Sequence, residues 1–93
     1  MRLVYSEQAV ADLVRLRAFI EEKDPSAAAR VAADLIARIE NLQLFPLMGH
    51  SVTEAPQPDV VRDMVFGHYL VRYSVHATAL IVLRIWHHYE DRV

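Results

Sequence analysis

Val60-Val61-Arg62-Asp63-Met64-Val65-Phe66-Gly67-His68-Tyr69-Leu70-Val71-Arg72-Tyr73-Ser74-Val75, followed by Leu80-Ile81-Val82-Leu83-Arg84-Ile85-Trp86-His87-His88-Tyr89, is the stretch that decides the fold of this chain. Apolar and polar residues alternate with a period of two, the pattern of half-buried strands. Phe66-Gly67-His68 and His76-Ala77-Thr78 are turn signals, so the stretch predicts three antiparallel strands in a meander. Each strand carries one arginine: Arg62, Arg72 and Arg84.

Upstream the period changes. Arg2 to Tyr5 is short and β-prone, and Ser6 is a helix N-cap signal with Glu7 in the first turn. Ala9, Leu13, Leu16 and Ile20, widened by Val10 and Phe19, mark an amphipathic helix of about four turns. Lys23-Asp24-Pro25 ends it, and Asp24 with Pro25 reads as the start of a second helix. Ala28, Val31, Ala32, Leu35, Ile39 and Leu42 form the apolar stripe of that helix, and Phe45-Pro46 stops it. Residues 46–59 contain Pro46, Gly49, Pro56 and Pro58 and show no period, which predicts a long connecting loop and a candidate functional element.

The predicted order is therefore β-α-α-β-β-β, an α+β fold in one domain spanning residues 1–93. A helical hairpin packs on one face of a small antiparallel sheet. Strand alternation assigns the faces. Tyr69, Val71, Tyr73 and Val75, with Ile81, Leu83, Ile85, Val61 and Val65, are expected against the helices. Arg62, Met64, Phe66, Leu70, Arg72, Ser74, Val82, Arg84, Trp86 and His88 are expected on the open face, and Asp63 falls on the core side as a misfit.

Composition excludes several classes of function. The chain has no cysteine, which removes disulfide frameworks, thiolate zinc sites and thiol nucleophiles. No apolar run approaches a membrane span, and the N-terminus lacks a secretory core, so a cytoplasmic protein without membrane contact is expected. The net charge of −2 argues against affinity built on many phosphate contacts. Two glycines in the whole chain leave no phosphate-cradling loop, and the serines lack nucleophile contexts. Neither a cofactor nor a metal is expected.

Two constellations remain. Arg62, Arg72 and Arg84 on one face suit bidentate contact with an anionic or acidic partner, and Trp86 adds an aromatic contact beside them. The plainer alternative is that the arginines only solvate the face and pair with local acids. Trp86-His87-His88-Tyr89 combines imidazoles fit for acid–base work with aromatics fit for stacking on a base. Adjacent histidines on a strand point in opposite directions and make a poor chelate. The plainer alternative is again packing and surface polarity.

Taken in order, these residues resemble a known family. Ala9-x-x-Asp12-Leu13-x-x-Leu16-x-x-Phe19-Ile20, Pro25-x-x-Ala28, Leu42-x-x-x-Pro46-x-x-Gly49-His50, Val61-Arg62, Tyr69-Leu70-Val71-Arg72-Tyr73-Ser74-Val75 and Leu83-Arg84-Ile85-Trp86-His87 are similar to the RelE/ParE toxin superfamily, nearer ParE than RelE. The resemblance covers nearly the whole chain. It implies the toxin of a type II toxin–antitoxin module with a cognate antitoxin in a hetero-oligomer. The target it implies is DNA gyrase for ParE-like members and messenger RNA on the ribosome for RelE- and YoeB-like members. In the nuclease alternative, Arg72, Arg84, His87, His88 and Tyr89 would be catalytic. The resemblance is partial there: Leu70 stands where the nucleases carry a strand arginine, and His50 and Ser51 stand where RelE-like loops carry lysines. In the binding alternative, Arg62, Arg72, Arg84 and Trp86 would meet target or antitoxin. A third alternative is a degenerate member that binds its antitoxin without toxicity. The slightly acidic charge favours the ParE-like, non-nuclease reading.

Overall fold

The computed structural model describes residues 1–57 and 60–88. Seven elements follow in order: β1 (Arg2–Tyr5), α1 (Glu7–Lys23), α2 (Ala28–Asn41), β2 (His50–Ser51), β3 (Val61–Phe66), β4 (Tyr69–Val75) and β5 (Ala79–His87). The expected α+β order is present, with the two-residue β2 added inside the long loop. The five strands form one mixed sheet in the order β1-β5-β4-β3-β2. β2 through β5 pair antiparallel, and β1 joins β5 in parallel.

Ser6 caps α1 as its sequence predicts, its hydroxyl accepting the Ala9 N–H at 3.0 Å. Asp24 closes α1 through its own N–H to the Ile20 carbonyl. It does not cap α2: Pro25 to Ala27 form a turn, and α2 begins at Ala28 without a side-chain cap. Leu35 and Ile39 from α2 and Leu42 at its C-cap meet Ala9 and Leu16 from α1 over Val71, Tyr73, Leu80, Val82 and Ile85 of the sheet. Val10, assigned to the α1 stripe, is half exposed instead. The β3–β4 hairpin turns through Gly67 at φ +59°, a left-handed conformation that glycine adopts without strain.

Two face assignments are corrected. On β3 the alternation runs in the opposite phase. Arg62 pairs with Tyr73 and Met64 with Val71, so Arg62, Met64 and Phe66 point toward the helices. Val61, Asp63 and Val65 therefore lie on the open face, and Asp63 is no misfit there. Apolar residues stand at both parities of this strand, so its pattern alone does not fix the phase. On β5 a bulge intervenes: Arg72 pairs with Arg84 but Tyr73 with Val82, leaving Leu83 as the extra residue. Parity inverts across it, so Leu80 and Val82 are buried and Ile81 faces the other way.

β1 covers only the first half of β5. Beyond it, polar groups of α1 take the place of a neighbouring strand. The Ser6 N–H donates to the Val82 carbonyl, and the Ser6 hydroxyl donates to that of Leu83 in the bulge. Asp12 accepts the Ile85 N–H at 2.8 Å, and Arg15 donates to the Ile85 carbonyl at 3.0 Å.

Candidate functional site

The meander brings two of the three arginines together. Arg72 on β4 stands directly opposite Arg84 on β5, and Trp86 lies beside them on the open face. The guanidinium carbons sit 5.3 Å (Arg72) and 5.1 Å (Arg84) from the indole ring centre, within cation–π range. Like charges opposed across a ladder repel, and each is compensated. Arg72 donates through Nε and Nη2 to both oxygens of Asp63, at 2.8 and 2.9 Å. Arg84 reaches around the edge of β5 and donates to both oxygens of Asp12, at 2.8 and 3.2 Å.

Asp12 is the buried end of this arrangement, its side chain only 3% exposed against 36% for Arg84. Burial alone would push its carboxyl up. The hydrogen bonds from Arg84, the Ile85 amide and Arg15 outweigh that and hold it below the ordinary aspartate range. The same pairing raises Arg84, and the Asp63 hydrogen bonds raise Arg72, so both stay charged.

Arg62 lies apart from them, on the helix side of the sheet. It donates to the carbonyls of Leu47 and Gly49 at 3.3 and 2.8 Å, and its Nε is buried with no hydrogen-bond partner among the described residues. Tyr73 holds the same loop: its hydroxyl donates to Pro46 and accepts the Gly49 N–H. Burial is the main cause that raises the Tyr73 pKa. A Cβ at Gly49 would lie 2.6 Å from the Tyr73 hydroxyl, which explains a glycine at that point. The backbone so tethered presents Leu44, Phe45, Leu47 and Met48 to solvent. Residues 44–48 are thus a fixed apolar pad at the entry to the long loop.

The histidines separate as strand parity requires. His87 is buried on the helix side, 5.0 Å from the Phe19 ring and edge-on to Tyr69 at 5.1 Å. His88 is exposed and lies 6.2 Å from His68, to whose carbonyl its N–H donates. Tyr89 lies outside the described residues. No cluster of three metal-ligating side chains occurs among the described residues. A cleft runs between the helices and the end of the sheet, lined by Phe19, Ile20, Ala27, Val31, Tyr69 and His87, with Lys23, Asp24 and Arg30 also bordering it.

The sequence alone does not single out Asp12 as part of this arrangement. Its signal was present, since a carboxylate at position 12 interrupts the stripe formed by Ala9, Leu13 and Leu16.

The chain thus combines a mixed sheet, a helical hairpin on one side and an arginine–tryptophan surface on the other. The family described as ParE toxin of type II toxin–antitoxin system, parDE, matches residues 3–92, and the chain belongs to it. Toxin RelE1 of Caulobacter vibrioides is similar, at 35% identity over 92 residues, covering 97% of this chain and 96% of that protein. A solved structure described as the chromosomal ParDE TA system from P. aeruginosa shares the fold. It has a TM-score of 0.79 at 22% identity and covers 94% of this chain and 95% of that one. No helix among the described residues is long and apolar enough to cross a membrane.

Proposed function

We propose that this type II toxin arrests growth by binding its target, DNA gyrase, without cutting nucleic acid, and that a cognate antitoxin neutralises it. The observation that carries the reading is that the open-face arginines are already paired with carboxylates. Arg72 and Arg84 lie on the open face with their charges compensated by Asp63 and Asp12. His87 is buried on the other side, against Phe19 and Tyr69. General acid–base cleavage needs an imidazole beside arginines that can hold a phosphate, and of the two adjacent histidines only His88, exposed near His68, is left for that role. The net charge of −2 is also poorly suited to docking in a ribosomal site.

The antitoxin reading is supported by the opposite side of the molecule. The cleft there combines apolar Phe19, Ile20, Ala27 and Val31 with two cations, Lys23 and Arg30, and one carboxylate, Asp24, a net positive mixture that suits an amphipathic segment bearing acidic residues. The solved relative of this fold is itself described as a ParDE system.

Induction in cells without antitoxin, with supercoiling by purified gyrase assayed in parallel, tests the reading. Growth arrest, lost supercoiling and intact transcripts are expected. Transcript cleavage confined to translating ribosomes overturns it in favour of the nuclease, and viable growth with intact antitoxin binding favours the degenerate member.

A further inference from the structure

Asp12, Arg84, Trp86, Arg72 and Asp63 form one continuous line of contacts across α1, β5, β4 and β3. Its two carboxylates stand at opposite ends and its indole in the middle. We infer that Asp12 is a positioning residue for target contact: from the buried side of α1 it holds the Arg84 guanidinium against Trp86 and so shapes the surface that the target protein meets. The inference rests on the reading of the open face as the target-binding face.

Two observations separate this from a packing role. Position 12 lies in an apolar stripe, where a hydrophobic residue of similar volume is often at least as stable as a buried ion pair. Arg15 already supplies Asp12 with a cation, and the Ile85 N–H occupies one of its oxygens. The bidentate link to Arg84 is an addition to those, and it governs a side chain that is 36% exposed. Arg84 faces Arg72 across the ladder, where repulsion favours splaying. With Asp12 holding one fork and Asp63 the other, both stay over the indole.

The charge inventory fits a protein occupant. Arg15, Arg72 and Arg84 are matched by Asp12, Asp63 and Glu54, the last acting on Arg72 through space. A phosphate chain would have to displace those carboxylates. A protein surface needs only to stack on Trp86 and offer carbonyls or a carboxylate to Nη1 of Arg72 and Arg84, which makes no hydrogen bond among the described residues. Tryptophan and arginine are the side chains that most often dominate protein interfaces.

Asp12→Asn tests this, because it keeps an acceptor for Ile85 and removes the charge that fixes Arg84. Growth arrest on induction is read beside antitoxin affinity and the emission of Trp86, the only tryptophan in the chain. Loss of an interface anchor predicts an inducer dose for arrest raised about tenfold. Antitoxin affinity should hold within about twofold, as for an independent site, and Trp86 emission should shift.

Undiminished arrest by D12N overturns the inference, as does a parallel loss of arrest and antitoxin binding. If D12N does not melt cooperatively, Arg84→Lys decides, since it keeps a cation for Asp12 but loses the planar fork and the stacking. Arrest weakened with antitoxin binding retained is expected there, and full arrest overturns the inference. Arrest by the wild type without any effect on gyrase would remove the proposed target and leave the role of Asp12 to the same comparison. A wild type that arrests nothing removes both.

Discussion

The two faces of the sheet are made from the same three strands and behave in opposite ways. Toward the helices, Val71, Tyr73, Leu80, Val82 and Ile85 are buried in the hydrophobic core. Toward solvent, the alternate residues build Asp63–Arg72–Trp86 and extend it through Arg84 to Asp12. One face is held by contact area, the other by charge-assisted hydrogen bonds with defined direction. Stability should therefore be governed by the first and target recognition by the second, with Asp12 contributing to both.

The largest effect on that division is expected from Leu35→Ala. Leu35 is 4% exposed in the core. Its truncation should cost about 2–5 kcal/mol, measured by denaturant melts, and a loss far below that range would mean that α2 packs loosely. Gly49→Ala should come next, because the new methyl meets the Tyr73 hydroxyl and the Asp63 carbonyl. Overpacking of this kind costs roughly 1–3 kcal/mol, and an unchanged melting temperature would show that the loop gives way freely.

Acid should find the shared residue. The folded pKa of Asp12 is depressed, so its stabilising contribution is complete above the unfolded value of about 3.9 and is lost as pH falls through the folded one. Melting temperature should drop below about pH 4 in the wild type and drop less in D12N; parallel curves would remove Asp12 from the acid limb. Arg72→Ala should leave stability within about 1 kcal/mol, as for a partly exposed pair, while weakening growth arrest. A large thermal loss with arrest intact would reverse the assignment of the faces. The smallest effect is expected at the exposed Asp34–Arg38 pair, 3.2 Å apart on α2. Arg38→Ala there should change stability by about 0.3–0.5 kcal/mol.

The elements other than β2 were legible because each announces itself locally. Ser6 caps α1, the stripe of Leu35, Ile39 and Leu42 marks α2, and Gly67 turns the hairpin. The faces were legible only where apolar residues hold a single parity, as on β4. On β3, Val61 and Val65 compete with Met64 and Phe66, and only pairing with β4 selects the phase. On β5 the bulge at Leu83 inverts the parity, and its carbonyl is captured by Ser6, 77 residues away in sequence. The same distance hid the site. Arg72 and Arg84 were visible among three strand arginines expected on one face, of which Arg62 points to the helix side. Asp12 acquires its meaning only when α1 docks along β5.

A strand left half uncovered is an invitation to other chains, because bare N–H and C=O groups template further pairing. In this fold Ser6, Asp12 and Arg15 answer those groups on β5 one by one. The first turns of α1 therefore occupy the edge at Leu83 and Ile85, where another strand would otherwise find groups to pair with.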